Sequence, residues 1–243
     1  MPISAETLRK LAQFDTPTIC NAIEIFEVRP RNTGYMGPQI RAAFPEMRPM
    51  VGFASTALFR SDAPPIDGSV YGALADQVEM FPQLEGPAVL VFQDIDDPPV
   101  AATFGEVMCS TYQGFGAVGL VTSGGGRDLE QVQALGFPVF TGSAICAHAY
   151  CHILQIGVPV RVGGLNVQSG DLLHGDLNGV TQLPIDIADE LADITPDFIK
   201  CEEHVLNYVK GPGEKNAKEL RERQAMMKAD VKKLQDQCSR QRS

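Results

Sequence analysis

The chain has 243 residues, 44% of them hydrophobic, and a formal net charge of −10. That length supports one sizeable core or a core with an appendage, and no apolar run approaches a membrane span. The acidity argues against nucleic acid as the main ligand.

The first residues, MPISAETLRKLAQFD, lack an apolar leader, so a cytoplasmic location is expected. Six cysteines without a CxxC pair then read as free thiols. Ser4 to Phe14 reads as a short helix capped by Ser4. Pro17 suits the first turn of a second helix running through TICNAIEIF. Residues 29–50 mix Pro, Gly and Arg without periodicity and read as loop. Met50 to Phe59 alternates like a strand, and Ser69 to Glu79 reads as helix.

The centre is better patterned. AVLVFQD (88–94), AVGLVT (117–122) and FPVFTG (137–142) are short apolar runs suited to buried strands. Helix-like GEVMCSTYQ (105–113) and RDLEQVQAL (127–135) separate them. This βαβαβ order predicts a parallel sheet with right-handed crossovers. Val158 to Pro184 is rich in glycine turns, with Asn178-Gly179 as a tight-turn signal, and reads as several short strands.

Beyond Pro184 the chain turns helical and charged, with a break at Pro212-Gly213 and a last helix over about 214–240. Residues 210–243 hold ten Lys/Arg and five Asp/Glu, which leaves −15 on the rest of the chain. Ala217, Leu220, Gln224, Met227, Val231, Leu234 and Cys238 recur at 3-4 spacing, a seam for packing on this or a neighbouring subunit. The expected fold is α/β, with a core over residues 1–184 that includes the N-terminal helices, and a helical extension over 185–243.

In a parallel sheet, ligands bind outside the carboxyl ends of the strands. Two strand-to-helix segments lie at that edge: Gly105-Glu106, and Gly124-Gly125-Gly126-Arg127-Asp128. The glycines let backbone approach a ligand, and helix N-termini favour anions. The amides of Val107 and Met108 suit a substrate carboxylate. Arg127 suits a 2-oxo or enolate oxygen. Asp128 is a hard oxygen ligand for Mg²⁺ or Mn²⁺, and Glu106 acts through metal-bound water. The bland reading of an Arg-Asp at a helix start is a cap plus a surface ion pair.

Glu106, twenty intervening residues and then Arg127-Asp128 resembles the Asp-x20-Arg-Asp signature of the 4-hydroxy-4-methyl-2-oxoglutarate aldolase family. That family includes the regulators of ribonuclease activity A (RraA-like proteins). FDTPTICNAIE (14–24), GEVM (105–108) and VGGLNVQSGDLLHGDLNGV (162–180) resemble its other motifs, so the likeness covers about residues 12–184. It implies a swivelling-domain-like β/β/α core assembled as homotrimers or hexamers. It also implies a class II lyase that releases pyruvate from 2-oxo acids, or decarboxylates oxaloacetate, through an enolate. By position, Asp128 is then the metal ligand, Arg127 binds the 2-oxo oxygen, and Glu106 orients a metal-bound water. Gly105, Val107 and Met108 form the carboxylate-binding turn. The chain departs from the pattern at Glu106, at Thr122-Ser123-Gly124, at Gln131 and at Asn21.

Two alternatives stay open: a non-catalytic protein-binding regulator, and a lyase of the same fold acting on another hydroxy or oxo acid. Cys146, His148, Cys151 and His152 are zinc-ligand types, but their spacing fits no common module, and buried thiols explain them better. His174, between Asp171 and Asp176, is a proton-shuttle candidate or a turn residue. No GxGxxG or Lys-Ser/Thr accompanies the triple glycine, which makes a nucleotide site weak.

Overall fold

The computed structural model describes residues 2–240 apart from 67, 69 and 71. Two short helices open the chain. In α1 (Ala5–Leu11) the Ser4 hydroxyl accepts from the Thr7 amide, and in α2 (Thr16–Ile25) the Asp15 carboxylate caps Thr18 with Pro17 in the first turn. Both ends satisfy amides that have no intrahelical acceptor.

After β1 (Arg41–Ala42), β2 (Met50–Arg60) runs through the middle of the main sheet. It alternates in sequence yet is buried on both faces over most of its length, because layers cover both sides of the sheet. The helix expected over Ser69–Glu79 is shorter, α3 (Leu74–Glu79). Ala73 stands before it in the left-handed region, and Ser69 and Tyr71 lie outside the described residues.

The central βαβαβ order is present and more elaborate than predicted. The chain runs β3 (Ala88–Asp94), β4 (Ala102–Phe104), α4 (Glu106–Gly114), β5 (Gly119–Thr122), β6 (Gly125–Gly126), α5 (Leu129–Ala134), β7 (Val139–Thr141) and β8 (Ser143–Ala144). Strands β2, β3, β5 and β7 are parallel neighbours in the main sheet. Past the carboxyl end of β3, β5 and β7 in turn, the chain enters a second parallel sheet of order β4-β6-β8. Both helices therefore start from the small sheet.

β9 (His152–Ile156) pairs with the last part of β2. The β10 (Val160–Val162) and β11 (Leu165–Val167) hairpin follows. β12 (Leu172–Asp176) joins the first part of β2 and pairs with β13 (Gly179–Leu183). Asp176 opposes Gly179, so Leu177 and Asn178 form the centre of the turn and Gly179 opens the returning strand at φ +125°.

Helices α6 (Ala188–Lys210) and α7 (Ala217–Arg240) pack on each other and on α2, and α6 also packs on α1. Leu234 and Cys238 of the predicted seam are buried, and Met227 and Val231 pack against the same cluster as Ile19, Ile23 and Phe198. Much of the seam is thus satisfied within this chain. Other clusters cover the two faces of the main sheet: α4 and α5 on one, the β10–β11 hairpin and Met36 and Ile40 on the other. This is the expected β/β/α layering. Among the described residues, no helix is long and apolar enough to cross a membrane.

Candidate active site

The small sheet decides where the predicted site residues meet. Phe104 ends β4 and Gly126 ends β6, and the Arg127 amide donates to the Phe104 carbonyl (3.1 Å). Gly105 and Arg127-Asp128 leave the sheet side by side. The Asp128 carboxylate does not cap its own helix. Asp128 sits at φ +51° and its Oδ2 accepts from the Glu106 amide (3.0 Å), at the start of α4.

The triple glycine has a different cause from the expected ligand approach. A Cβ on Gly126 would enter the Phe104 ring, one on Gly125 would press on Ile145, and one on Gly124 would meet Thr103 and Asp94. These glycines are required by protein packing within the small sheet. Gly105 is the one that faces the charged group: a Cβ there would lie 2.5 Å from Asp128 Oδ2 and 3.0 Å from Arg127 Nε.

Arg127 Nε is buried and makes no hydrogen bond, and Asp128 Oδ2 stands 3.7 Å away. A buried donor without a partner is costly, which marks this nitrogen as one awaiting an acceptor. The first backbone bond of α4 runs from Cys109 to the Gly105 carbonyl (3.0 Å). The amides of Val107 and Met108 lie ahead of it at the positive end of the helix. The Glu106 side chain is exposed. Gly105, Val107, Met108 and Arg127 line a cavity of about 240 Å³ together with Leu74 of α3. All six predicted site residues are therefore brought together.

The donor set fits a weakly held hard cation. It offers the Asp128 carboxylate, whose Oδ2 accepts from the Glu106 amide, and Gly105 keeps the space beside Asp128 open. Mg²⁺ commonly binds through one or two carboxylates and several waters. Among the described residues, no group of three or more His, Cys, Asp or Glu is placed to hold a metal. The described residues of one chain therefore offer no closed cage of three or more such ligands here. The zinc candidate dissolves as well: Cys146 is exposed, Cys151 is buried in the core, and His152 Nδ1 bonds the Tyr150 carbonyl. Burial pushes the Cys109 and Cys151 thiols up to about 12, so neither is a thiolate near neutrality.

Sequence reasoning missed two residues at this edge. Leu74 was hidden in an undistinguished segment. Asp94, the last residue of β3, is 7% exposed, with Oδ2 unpartnered and Oδ1 accepting from Asp96 (3.1 Å). Burial raises its pKa to about 6. The signal was present in AVLVFQD, where an acid closes an otherwise buried run. Ser61, directly after β2, also holds an orphaned buried oxygen. Three of the four orphaned side-chain atoms found in the described residues thus lie at or just past the ends of β2, β3 and β6.

His174 is elsewhere and structural. It is fully buried, with Nε2 donating to the Leu11 carbonyl (3.2 Å) and Nδ1 accepting from the Thr16 hydroxyl (2.9 Å). A larger groove of about 630 Å³ opens between α1 and the amino ends of the parallel strands, away from these groups.

Comparisons with known proteins agree with this architecture. Residues 16–181 match the family model "RraA-like: Aldolase/RraA". A Halalkalibacterium halodurans protein named "Putative 4-hydroxy-4-methyl-2-oxoglutarate aldolase" is 33% identical over 99 residues, 40% of this chain and 47% of that protein. A Methanocaldococcus jannaschii protein, MJ0644, is 40% identical over 67 residues, 27% of this chain and 32% of its own. The chain thus spans less than half the length of these curated relatives. Among solved structures, an uncharacterized Pseudomonas syringae protein superposes with a TM-score of 0.70 at 19% identity, covering 93% of this chain and 95% of that one. Streptomyces coelicolor RraAS2, described as an unusual member of the RNase ES inhibitor RraA family, gives 0.66 at 21% identity, over 87% and 99%. At those identities the likeness is one of fold. The family match spans about two thirds of the chain, including both halves of the site, and on that ground the chain belongs to the RraA-like family.

Proposed function

We propose that the protein is a divalent-metal-dependent lyase that cleaves a 2-oxo acid to pyruvate through an enolate. The observation that carries this reading is the buried, unpartnered Arg127 Nε beside Asp128, at the N-terminus of α4. The Val107 and Met108 amides bind the substrate carboxylate, and Arg127 donates to the 2-oxo oxygen. Asp128 holds Mg²⁺ or Mn²⁺, and the Glu106 amide orients its carboxylate. A bound divalent cation supplies Lewis-acid stabilisation of the negative charge that develops on the substrate.

Cleavage breaks the C3–C4 bond. For a 4-hydroxy-2-oxo acid, the C4 hydroxyl proton passes through water to Glu106, the C3–C4 pair becomes the C2=C3 bond of the enolate, and the carbonyl pair moves onto the 2-oxo oxygen beside Arg127. An aldehyde or ketone leaves, and the returning proton goes to C3, giving pyruvate. In an oxaloacetate-like acid the same bond breaks with loss of CO₂. Glu106 is exposed at the first position of α4, where a proton carrier can reach solvent.

The test is exchange of the pyruvate methyl protons for deuterium with Mn²⁺, alongside pyruvate release from oxaloacetate and 4-hydroxy-4-methyl-2-oxoglutarate. EDTA and Asp128→Ala are each expected to reduce exchange by a hundredfold or more, on the order of losing one transition-state electrostatic contact. A folded protein that shows neither exchange nor release with metal present contradicts the lyase. Capture of a protein partner that survives Asp128→Ala then supports the regulator reading.

A further inference from the structure

The groove of about 630 Å³ beside α1 lies at the amino ends of the parallel strands, the opposite edge from Arg127 and Asp128. Its floor is apolar for a local reason. Pro49, Pro87 and Pro138 stand directly before β2, β3 and β7, so three strands enter the sheet through a residue with no N–H. The Pro87 and Pro138 carbonyls accept from the Phe53 (2.8 Å) and Leu120 (3.0 Å) amides, and the Ala117 and Val118 amides donate to Tyr112 and Ala88. Leu8, Met47, Val118 and Phe137 add apolar side chains. Gln113 also lines the groove, with its Nε2 donating to the Leu135 carbonyl (3.0 Å).

Two cations, Arg9 and Arg48, line this groove, and no Asp or Glu is among its described lining residues. Both arginines are exposed, and among the described residues neither has an ion pair or a side-chain hydrogen bond. Arg29, Arg31, Arg41 and Arg60 each meet an oxygen of this chain, and Lys10, next to Arg9, pairs with Asp193 (2.8 Å). Arg9 and Arg48 thus make a local positive patch on a stretch, residues 1–209, that carries −15. The apolar surface continues past Pro87, which also lines a second cavity of about 330 Å³ with Phe81, Pro82 and Phe115. Phe115 is 63% exposed, and neither arginine lines this second cavity.

The matching occupant has one anionic end and an apolar body long enough to pass Pro87. A guanidinium donates to a carboxylate in a two-pronged geometry. An alkyl chain laid on proline rings and Val118 sheds water without leaving a polar group unpaired. The groove falls within the range of roughly 300–1,000 Å³ that small-molecule sites occupy. We propose that this groove binds a free long-chain aliphatic carboxylate, with Arg9 and Arg48 on the carboxylate and the alkyl chain running over Pro87 toward Phe115. The site is independent of the lyase reading, because none of its residues takes part in the chemistry at Arg127.

Calorimetric titration of the full chain with dodecanoate, kept below micelle formation, is expected to show a single molecule bound per chain. Dodecyltrimethylammonium has the same chain with a cationic head, and octanoate has the same head with a shorter chain. Each is expected to bind at least about tenfold more weakly, the scale of a lost charge-assisted contact or of several methylenes. The double variant Arg9→Glu with Arg48→Glu changes exposed side chains only, and is expected to weaken dodecanoate by about tenfold or more while sparing the cationic amphiphile. Phe115→Ser is expected to narrow the preference for dodecanoate over octanoate. Equal binding of the cationic amphiphile, several molecules per chain, or unchanged dodecanoate affinity in the double variant overturns the proposal, as does an unchanged preference in Phe115→Ser. A fall in the light-scattering mass of either variant also overturns it, and assigns this face to contact between copies of the chain.

Discussion

Asp94 shows how one residue's state depends on its surroundings. Its carboxyl has an ordinary pKa of 3.8, and burial without a cation raises it to about 6. The native state therefore binds this proton more readily than the unfolded chain. The resulting stability is full below about pH 3.8 and is lost as pH rises through about 6. At pH 7.5 the ionised carboxylate is a burden on the fold. Asp94→Asn is expected to stabilise the protein at pH 7.5 by on the order of 1–2 kcal/mol, and by less at pH 5. Urea unfolding at the two pH values checks this, and a variant that is less stable at pH 7.5 contradicts it. Arg127, Asp128 and Glu106 stand out in the sequence because they are charged residues beside glycines that follow the ends of apolar runs, the edge where a parallel sheet binds ligands. The sequence left Asp94 unnoticed, because burial of a carboxylate is a property of what packs around it. The same holds for the glycines: Gly124 to Gly126 look like a ligand loop in sequence and serve side-chain packing in space.

At the scale of elements, His174 joins β12 to both N-terminal helices through Leu11 and Thr16. Burial holds its pKa below the ordinary 6.5, although the bond to Leu11 and nearby Asp176 oppose that. The unfolded chain binds this proton more readily. Stability from His174 is thus complete above about pH 6.5 and falls as the pH drops below it. Asp94 changes in the opposite sense over an overlapping window, so wild-type stability partly conceals both. In the Asp94→Asn background, the loss of stability from pH 7 to pH 5 is expected to be steeper than in the wild type. A flat profile there would count against a neutral, buried His174. Secondary structure was mostly readable: caps at Ser4 and Asp15, the runs at 88–94 and 117–122, and the Pro212-Gly213 break all carry local signals. β4, β6 and β8 carried none. Strands of two or three residues exist only because neighbours pair with them, and no periodicity can announce them.

At the scale of the whole molecule, the carboxyl edge of the sheet leaves Ile95, Val100, Tyr150 and Leu154 exposed, along with Val107 at the site. β8 is an unprotected edge strand of the small sheet, with both residues exposed. Apolar side chains around an open strand edge suit association of identical chains. We propose that the protein forms homotrimers, singly or in pairs, across this edge. Light scattering is expected to give three or six times the 26.3 kDa chain mass, and Leu154→Glu is expected to shift the population toward monomer. A monomeric wild type ends that proposal.

What this sequence determined alone follows from local physics. The caps and the apolar runs specify an α/β chain, and the glycine-flanked charges single out residues 105–128 as its candidate site. Each of those signals acts over a few residues, through a hydrogen bond to the adjacent turn or through the spacing of apolar side chains. Only the tertiary structure decided that Asp128 reaches back to the Glu106 amide, that Arg127 Nε is left without a partner, and that Leu74 walls the pocket. These contacts join residues from about 20 to more than 50 positions apart, and they arise because parallel strands must return through crossovers to the same edge.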